Sequence, residues 1–371
     1  SEPKIEVKKL ADKIVADAKS KDKKAEAKAL YEWIVKNVRY VAVYIGNGGI
    51  EPHDVSEIIK NKYGDCKDHA VLYEALLAAR GIDSSPATIN LGDAFTLPKY
   101  PVIAPQNHVI TYIPQFDLYV DATAQSVPFG IVPFYDRDKP TILIALNKIG
   151  KTPSMKASEN LVKTTVKLKI QPDGSIDGTS HIDVTGPIES SYRENQVPNV
   201  GKDDTKIVTD MLSMFGETGS GKLSFTLPTE FDKKFEENGV FKLDPVSNFP
   251  GPAAMTVPVG LTEGRIFGIS KEKPLEKRTY PFRCFGRTYE DSYEIKFPEK
   301  TTITRLPEGL SYSADGYSYE SSYSKTNNIV NVYRKMTLDH DSMACEPGLE
   351  SKKNAFFKVI QKDIRAQIFY E

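Results

Sequence analysis

The hexapeptide Tyr63-Gly64-Asp65-Cys66-Lys67-Asp68 places a thiol among charged neighbours, directly ahead of an apolar helical stretch. Structural cysteines sit among apolar side chains, so this setting points to reactivity. Asp65 is a natural N-cap, which makes Cys66 the first residue of the helix. Asp68 then falls at N3, where its carboxylate can reach back to free amides as in a capping box. Gly64 permits the close approach that such a turn requires. A thiol at the helix start faces unpaired amides and the positive end of the helix dipole, and both favour the thiolate. Lys67 adds a positive charge, while Asp65 and Asp68 act in the opposite sense. Lys67 and His69 are expected at the periphery of the chemistry.

A thiolate nucleophile needs a general base, and the base needs an orienting partner. His108 opens the strand-like NHVITYI, and Asp121 closes the next one, in LYVDAT. The tight PQFD connection between them predicts a hairpin. In a hairpin the start of one strand lies opposite the end of the other, so His108 and Asp121 can sit side by side. Asp121 would then accept from one ring nitrogen while the other faces Cys66, the logic of a Cys-His-Asp triad. The Cys66 backbone N–H is the default oxyanion donor. A polar side chain from the stretch 40–47 is the candidate second donor, with Tyr40 as nominee against its reading as a core aromatic at a strand start.

The elements that must position these residues come in order. Two amphipathic helices are predicted over about 3–19 and 23–38, then a short strand, a Gly/Asn loop and a short helix at about 54–62. The helix from Cys66 carries Val71, Leu72, Ala75, Leu76 and Ala79 on one face and ends at Gly81. Strands follow at SPATIN, in the hairpin and at TILIAL. Helices first and strands after predict an α+β domain over 1–150. The polar stretch 147–160 reads as a linker. Beyond it, VKTTVKLKI and SIDGTSHIDV alternate around QPDG, so 151–371 is expected to be β-rich, of antiparallel sandwich type, with a subdivision near 275. The tyrosines of YSADGYSYESSY suit either a carbohydrate-stacking surface or an edge hairpin.

Two motifs are decoys. GETGSGKL has the glycine and lysine spacing of a phosphate-binding loop, but Leu223 stands where a hydroxyl should reach magnesium. A helix precedes it and a strand follows, the reverse of what anion binding at a helix N-terminus needs. Cys66 and His69 have C-x-x-H spacing, with His53, His108 and Asp121 as further donors, but a structural zinc site needs a second close ligand pair. No metal and no cofactor are expected.

The bulk numbers narrow the classes. The chain has 371 residues, 40% hydrophobic and 27% charged, with a net charge of -1. That balance gives no electrostatic footprint for nucleic acid, and no apolar run is long enough to span a bilayer. The chain begins with Ser rather than Met, as a processed form or fragment does. Of the three cysteines, Cys284 and Cys345 are the candidate disulfide pair, with two buried thiols as the alternative.

Taken together, YGDCKDHAVLYEALLAARGID, NHVITYI and LYVDAT resemble the transglutaminase-like superfamily, whose core is a rearranged papain-like fold. The similarity covers about residues 1–150. It is closest to a bacterial branch in which such a core follows one β-rich domain and precedes further β structure; the preceding domain is missing here. The resemblance implies Cys66 as nucleophile, His108 as base and Asp121 as orienting carboxylate. It implies thiol-dependent acyl transfer on protein or peptide amides. Hydrolysis by a peptidase or amidase is preferred to transamidation, since the sequence shows no amine-acceptor site. The alternative is a weakly active peptide- or protein-binding scaffold of the cell envelope, with partners held by the β half. The resemblance and the Cys284/Cys345 pair point to the bacterial periplasm or exterior.

Overall fold

Four of the described helices start at an aspartate cap: Asp22, Asp54, Asp65 and Asp203. The computed structural model describes residues 5–42, 51–100, 102, 105–245, 247–275 and 277–371. Ile5–Asp17 (α1) buries Val7, Ala11, Ile14 and Val15. Lys23–Asn37 (α2) begins where the Asp22 carboxylate accepts from the Ala25 amide, and Val55–Asn61 (α3) where Asp54 accepts from Ser56. Cys66–Ala79 (α4) begins at Asp65. It ends at Arg80 and Gly81; Gly81 has φ +66°, the left-handed geometry that glycine adopts without strain. The buried side chains of α4 are Asp68, His69, Ala70, Leu72, Tyr73, Leu76 and Leu77. Val71, Ala75 and Ala79 of the expected stripe are only partly covered.

The chain divides into two units, Ser1–Ser154 and Met155–Glu371. In the first, Arg39–Tyr40 (β1) pairs in parallel with Tyr63–Gly64 (β2). A five-stranded sheet is built from Ser85–Ile89 (β3), His108–Ile113 (β4), Leu118–Val120 (β5), Pro140–Leu143 (β6) and Lys148–Lys151 (β7). Its order is β5-β4-β3-β6-β7 and every pair is antiparallel. α4 packs on β4 and β3, which brings its N-terminus to the sheet. No described helix is long and apolar enough to cross a membrane.

The boundary between the two units falls inside 147–160, as expected of a linker, but the stretch is not a structureless tether. Lys148–Lys151 pairs with β6, and Thr152, Met155, Ala157 and Asn160 are buried. A short, lysine-flanked edge strand with an exposed Ile149 has the composition of a loop, because charge on an edge is how sheets discourage further pairing.

The second unit is organised on one eight-stranded sheet. Leu161–Ile170 (β8) and Ile176–Thr185 (β9) form the hairpin around QPDG. Gly219–Phe225 (β10) and Glu236–Leu243 (β11) extend it on one side. Arg287–Lys296 (β14), Ser311–Ala314 (β16), Tyr317–Thr326 (β17) and Ile329–Leu338 (β18) supply the other side, in the order β10-β11-β9-β8-β14-β18-β17-β16. β8 and β14 run parallel, the one parallel pair described in this sheet. The expected division near 275 is therefore a seam inside a sheet and not a boundary between units. A smaller sheet of Ala253–Met255 (β12), Ile303–Arg305 (β15) and Ile368–Tyr370 (β20) covers one face, with the order β12-β20-β15. One core joins the two sheets: Val166, Leu168, Phe241, Ile295 and Val332 of the larger meet Met255, Ile303, Ile368 and Tyr370 of the smaller. Asp204–Met214 (α6) adds Val208 and Leu212 to it. Glu189–Gln196 (α5), Arg265–Lys271 (α7) and Glu350–Ile364 (α8) complete the helices, so the chain as a whole is α+β.

GETGSGKL lies at the sheet edge. Gly219–Phe225 is strand β10, and Lys222 sits opposite Val240, so no helix N-terminus follows the glycines. The tyrosine-rich stretch is the β16–β17 hairpin, turning at Asp315 and Gly316 with φ +51° and +80°. Tyr317 and Tyr319 point inward, and Tyr319 donates to the buried Asp363 at 2.8 Å, which removes them from any stacking surface. Cys284, just past Phe282–Arg283 (β13), is disulfide-bonded to Cys345 in Ala344–Cys345 (β19). Cys66 is the free cysteine.

Candidate active site

The turn into α4 is held by a full capping box. The Asp65 carboxylate accepts from the amides of Lys67 at 2.9 Å and Asp68 at 3.3 Å, and Asp68 accepts from the Asp65 amide at 3.1 Å. Lys67 closes on Asp65 at 2.5 Å, so its charge goes to the cap. Asp68 also accepts from the His53 amide at 2.8 Å, and its carboxylate lies 2.9 Å from His53 Nδ1. His69 is fully buried, its ring nitrogens facing the carbonyls of Asp65 at 2.8 Å and Val38 at 3.3 Å. Cys66 thus rises from a helix end fixed on three sides, as a half-buried residue.

Gly64 is a packing requirement here. A Cβ on it would stand 2.5 Å from Asp68 Cβ and 2.8 Å from Asp68 Oδ2. Gly64→Ala must push the N3 side chain off the cap. We expect it to cost about 1–3 kcal/mol in urea unfolding. A loss below a few tenths of a kcal/mol would show that the cap yields freely.

The hairpin brings the other two residues together by register. Thr111 pairs with Val120, so Asp121 comes opposite Ile110 and diagonal to His108 on the same face. His108 Nε2 lies 2.9 Å from Asp121 Oδ2. The other carboxylate oxygen accepts from the Thr123 amide at 2.8 Å and the Thr123 hydroxyl at 2.7 Å. Tyr31 anchors the segment beyond, donating to the Val127 carbonyl at 2.6 Å. His108 and Asp121 are 7% and 6% exposed, so water scarcely competes for their bond.

The electrostatics follow. Burial opposes a charged His108, but the charge and hydrogen bond of Asp121, a hydrogen bond with Cys66 and the charge of Asp136 outweigh it. The imidazole pKa is raised well above 6.5. Burial likewise works against the Asp121 carboxylate, and the His108 charge and bond together with the Thr123 donors hold it below the usual range. Since Asp121 occupies Nε2, the nitrogen left for the thiol is Nδ1.

The remaining candidates separate. His53 turns to Asp68 and His69 to backbone carbonyls, so the C-x-x-H pair does not converge on a metal. Donor atoms of His108, Asp121 and Asp136 do lie within 4.8 Å of one another. There the His108–Asp121 hydrogen bond already joins two of the three through a proton. Tyr40 lies in β1 beside Gly64, with its ring 5.9 Å from that of His69. Residues 43–47 of the stretch considered for a second oxyanion donor lie outside the described residues. Asp136, buried beside the pair, was not singled out from the sequence. It sits in PFYDRDKP, which has neither periodicity nor a motif. A run of four charged or capping side chains between apolar strands is the only signal there.

A family profile described as the Transglutaminase-like superfamily matches residues 8–113. A second, described as a domain of unknown function with a solved structure (DUF3858), matches residues 259–346. No curated protein matches the chain. Among solved structures, a crystal structure described as a "putative protease" from Parabacteroides distasonis superposes with a TM-score of 0.58 at 14% identity. The match covers 99% of this chain and 55% of that one, so the chain spans little more than half of that protein's length. At that identity the likeness is one of fold.

Proposed function

Because residues 8–113 carry a transglutaminase-like core, we propose that Cys66, His108 and Asp121 form a nucleophilic triad for acyl transfer from protein or peptide amides. The observation that carries this is the oriented imidazole: Asp121 holds Nε2 at 2.9 Å, which leaves Nδ1 as the ring nitrogen for the Cys66 thiol. His108 takes the Cys66 proton, and Sγ attacks the amide carbonyl carbon. The oxyanion meets the Cys66 N–H at the start of α4, with Tyr40 as the nominee for a second donor. His108 then gives its proton to the leaving amine, the C–N bond breaks, and a thioester remains on Cys66. In the second half His108 deprotonates water, which attacks the thioester. The C–S bond breaks and the thiol regains its proton.

Water is the acceptor we favour over a second amine, a choice supported by the protease description of the structural neighbour. The Cys284–Cys345 disulfide supports an oxidising setting, the bacterial periplasm or exterior. The β-rich second unit is then the part to hold envelope partners.

The test is iodoacetamide labelling of Cys66 across pH. At pH 6 we expect labelling at least about ten-fold faster than free cysteine, because an imidazolium beside the sulfur is the charge complement of a thiolate. His108→Ala should remove the acceleration. Labelling at the rate of free cysteine, or an unaffected His108→Ala, favours a binding scaffold instead. A fluorescent primary amine then separates the acceptors. Product without incorporated amine marks hydrolysis.

A further inference from the structure

Two buried carboxylates lie close to the His108 ring, and the triad uses one. Asp136 is 1% exposed, and its donor oxygen lies within 4.8 Å of those of His108 and Asp121. It reaches there from a separate piece of chain, the helical turn Phe134–Asp136 between β5 and β6. That turn is pinned. The Asp136 amide donates to the Pro133 carbonyl at 3.1 Å, and the Asp136 carbonyl accepts from the Thr152 hydroxyl at 2.5 Å. Next to it, the Arg137 guanidinium donates to the carbonyls of Val132 at 2.8 Å and Ser154 at 3.0 Å. So many bonds to backbone fix where the residue 136 side chain goes. A carboxylate buried this deeply is costly unless positive charge is near.

We propose that Asp136 is a second positioning carboxylate of this site, one that fixes the His108 ring and balances positive charge on it alongside Asp121. The proposal rests on the triad reading for its purpose, but its geometry does not depend on that reading. The groups that act on His108 are Cys66 from α4, Asp121 after β5 and Asp136. Tyr31 of α2 feels both carboxylates, and burial together with their charge pushes its pKa well above 10, so it stays neutral. With His108 protonated, the two aspartates still outnumber the one positive charge beside them. The arrangement resists losing the His108 proton to solvent, which keeps the ring in the state that accompanies a thiolate.

The test is imidazole NMR of His108 across pH in the whole chain. In Asp136→Asn the His108 midpoint is expected to fall by about one to two pH units, with Cys66 labelling by iodoacetamide slower at pH 7–8. Asp136→Glu should restore most of both. An unmoved His108 midpoint in a folded Asp136→Asn overturns the proposal. If that variant does not fold, the wild type decides by carboxyl NMR of Asp136. A titration step shared with His108 supports the coupling, and independent titrations refute it. The two readings fail separately. Slow Cys66 labelling with a midpoint that still drops in Asp136→Asn defeats the triad and leaves Asp136 in place.

Discussion

An Asp121→Asn variant is expected to fold and yet to lose about 10³–10⁴-fold in turnover of a fluorogenic peptide-amide pool. The reason is the pair of Thr123 donors. The Thr123 amide and hydroxyl both point at Asp121 Oδ1, so an asparagine must place its carbonyl oxygen there. Its NH2 group then faces His108 Nε2, which has to accept. The ring proton moves to Nδ1, the nitrogen needed to take a proton from Cys66. Asp121→Ala, which fixes no tautomer, should lose less than Asp121→Asn. A fully active Asp121→Asn would show that Thr123 does not dictate the orientation. The same pair sets a stability window. Asp121 is depressed to about 2 in the folded chain, so its contribution is present above the unfolded carboxylate range and is lost as pH falls through that value. His108 is raised, so its contribution is fully present below 6.5 and is lost as pH rises through the folded pKa. Wild type and Asp121→Asn should differ most in unfolding free energy between those limits and converge toward either end.

Replacing both Cys284 and Cys345 with serine is expected to lower the unfolding free energy of the second unit by about 4 kcal/mol. The bridge closes residues 61 apart in sequence, and the stabilisation comes mainly from restricting the unfolded chain. It also ties β13 to β19, two-residue strands that pair with each other and not with the large sheet. Chemical denaturation of the serine variant, compared with the oxidised and the reduced protein, measures this. A change below about 1 kcal/mol would mean that the unfolded state is already restricted there.

The residues around Cys66 were legible because their signals are local. An acid before the helix, an acid at N3 and a glycine at the far end each act within one turn, and the structure has all three interactions. His108 and Asp121 were legible because a four-residue connection leaves the hairpin little choice of register. What stayed hidden depends on partners distant in sequence. Lys148–Lys151 is a strand only because β6 is beside it. A Cβ on Gly150 would stand 2.7 Å from the Thr141 hydroxyl oxygen and closer still to that of Tyr119, so a side chain there must displace both. Asp136 gains its meaning from where a turn deposits it, which no spacing rule reports. Tyr319 and Tyr323 of β17 look like surface residues until Asp363, from the last helix, accepts hydrogen bonds from their hydroxyls.

The parallel contact between β8 and β14 bears on how the second unit can be cut and reassembled. Either side of it lies a run of four antiparallel strands. Severing the chain near 275 would leave each fragment with an unpaired ten-residue edge strand, one presenting Val162, Val166, Leu168 and Ile170 and the other Tyr289, Tyr293 and Ile295. Alone, each fragment would be a template for its own kind and prone to aggregate. Together, each supplies the edge that the other lacks, so the halves are suited to fragment complementation.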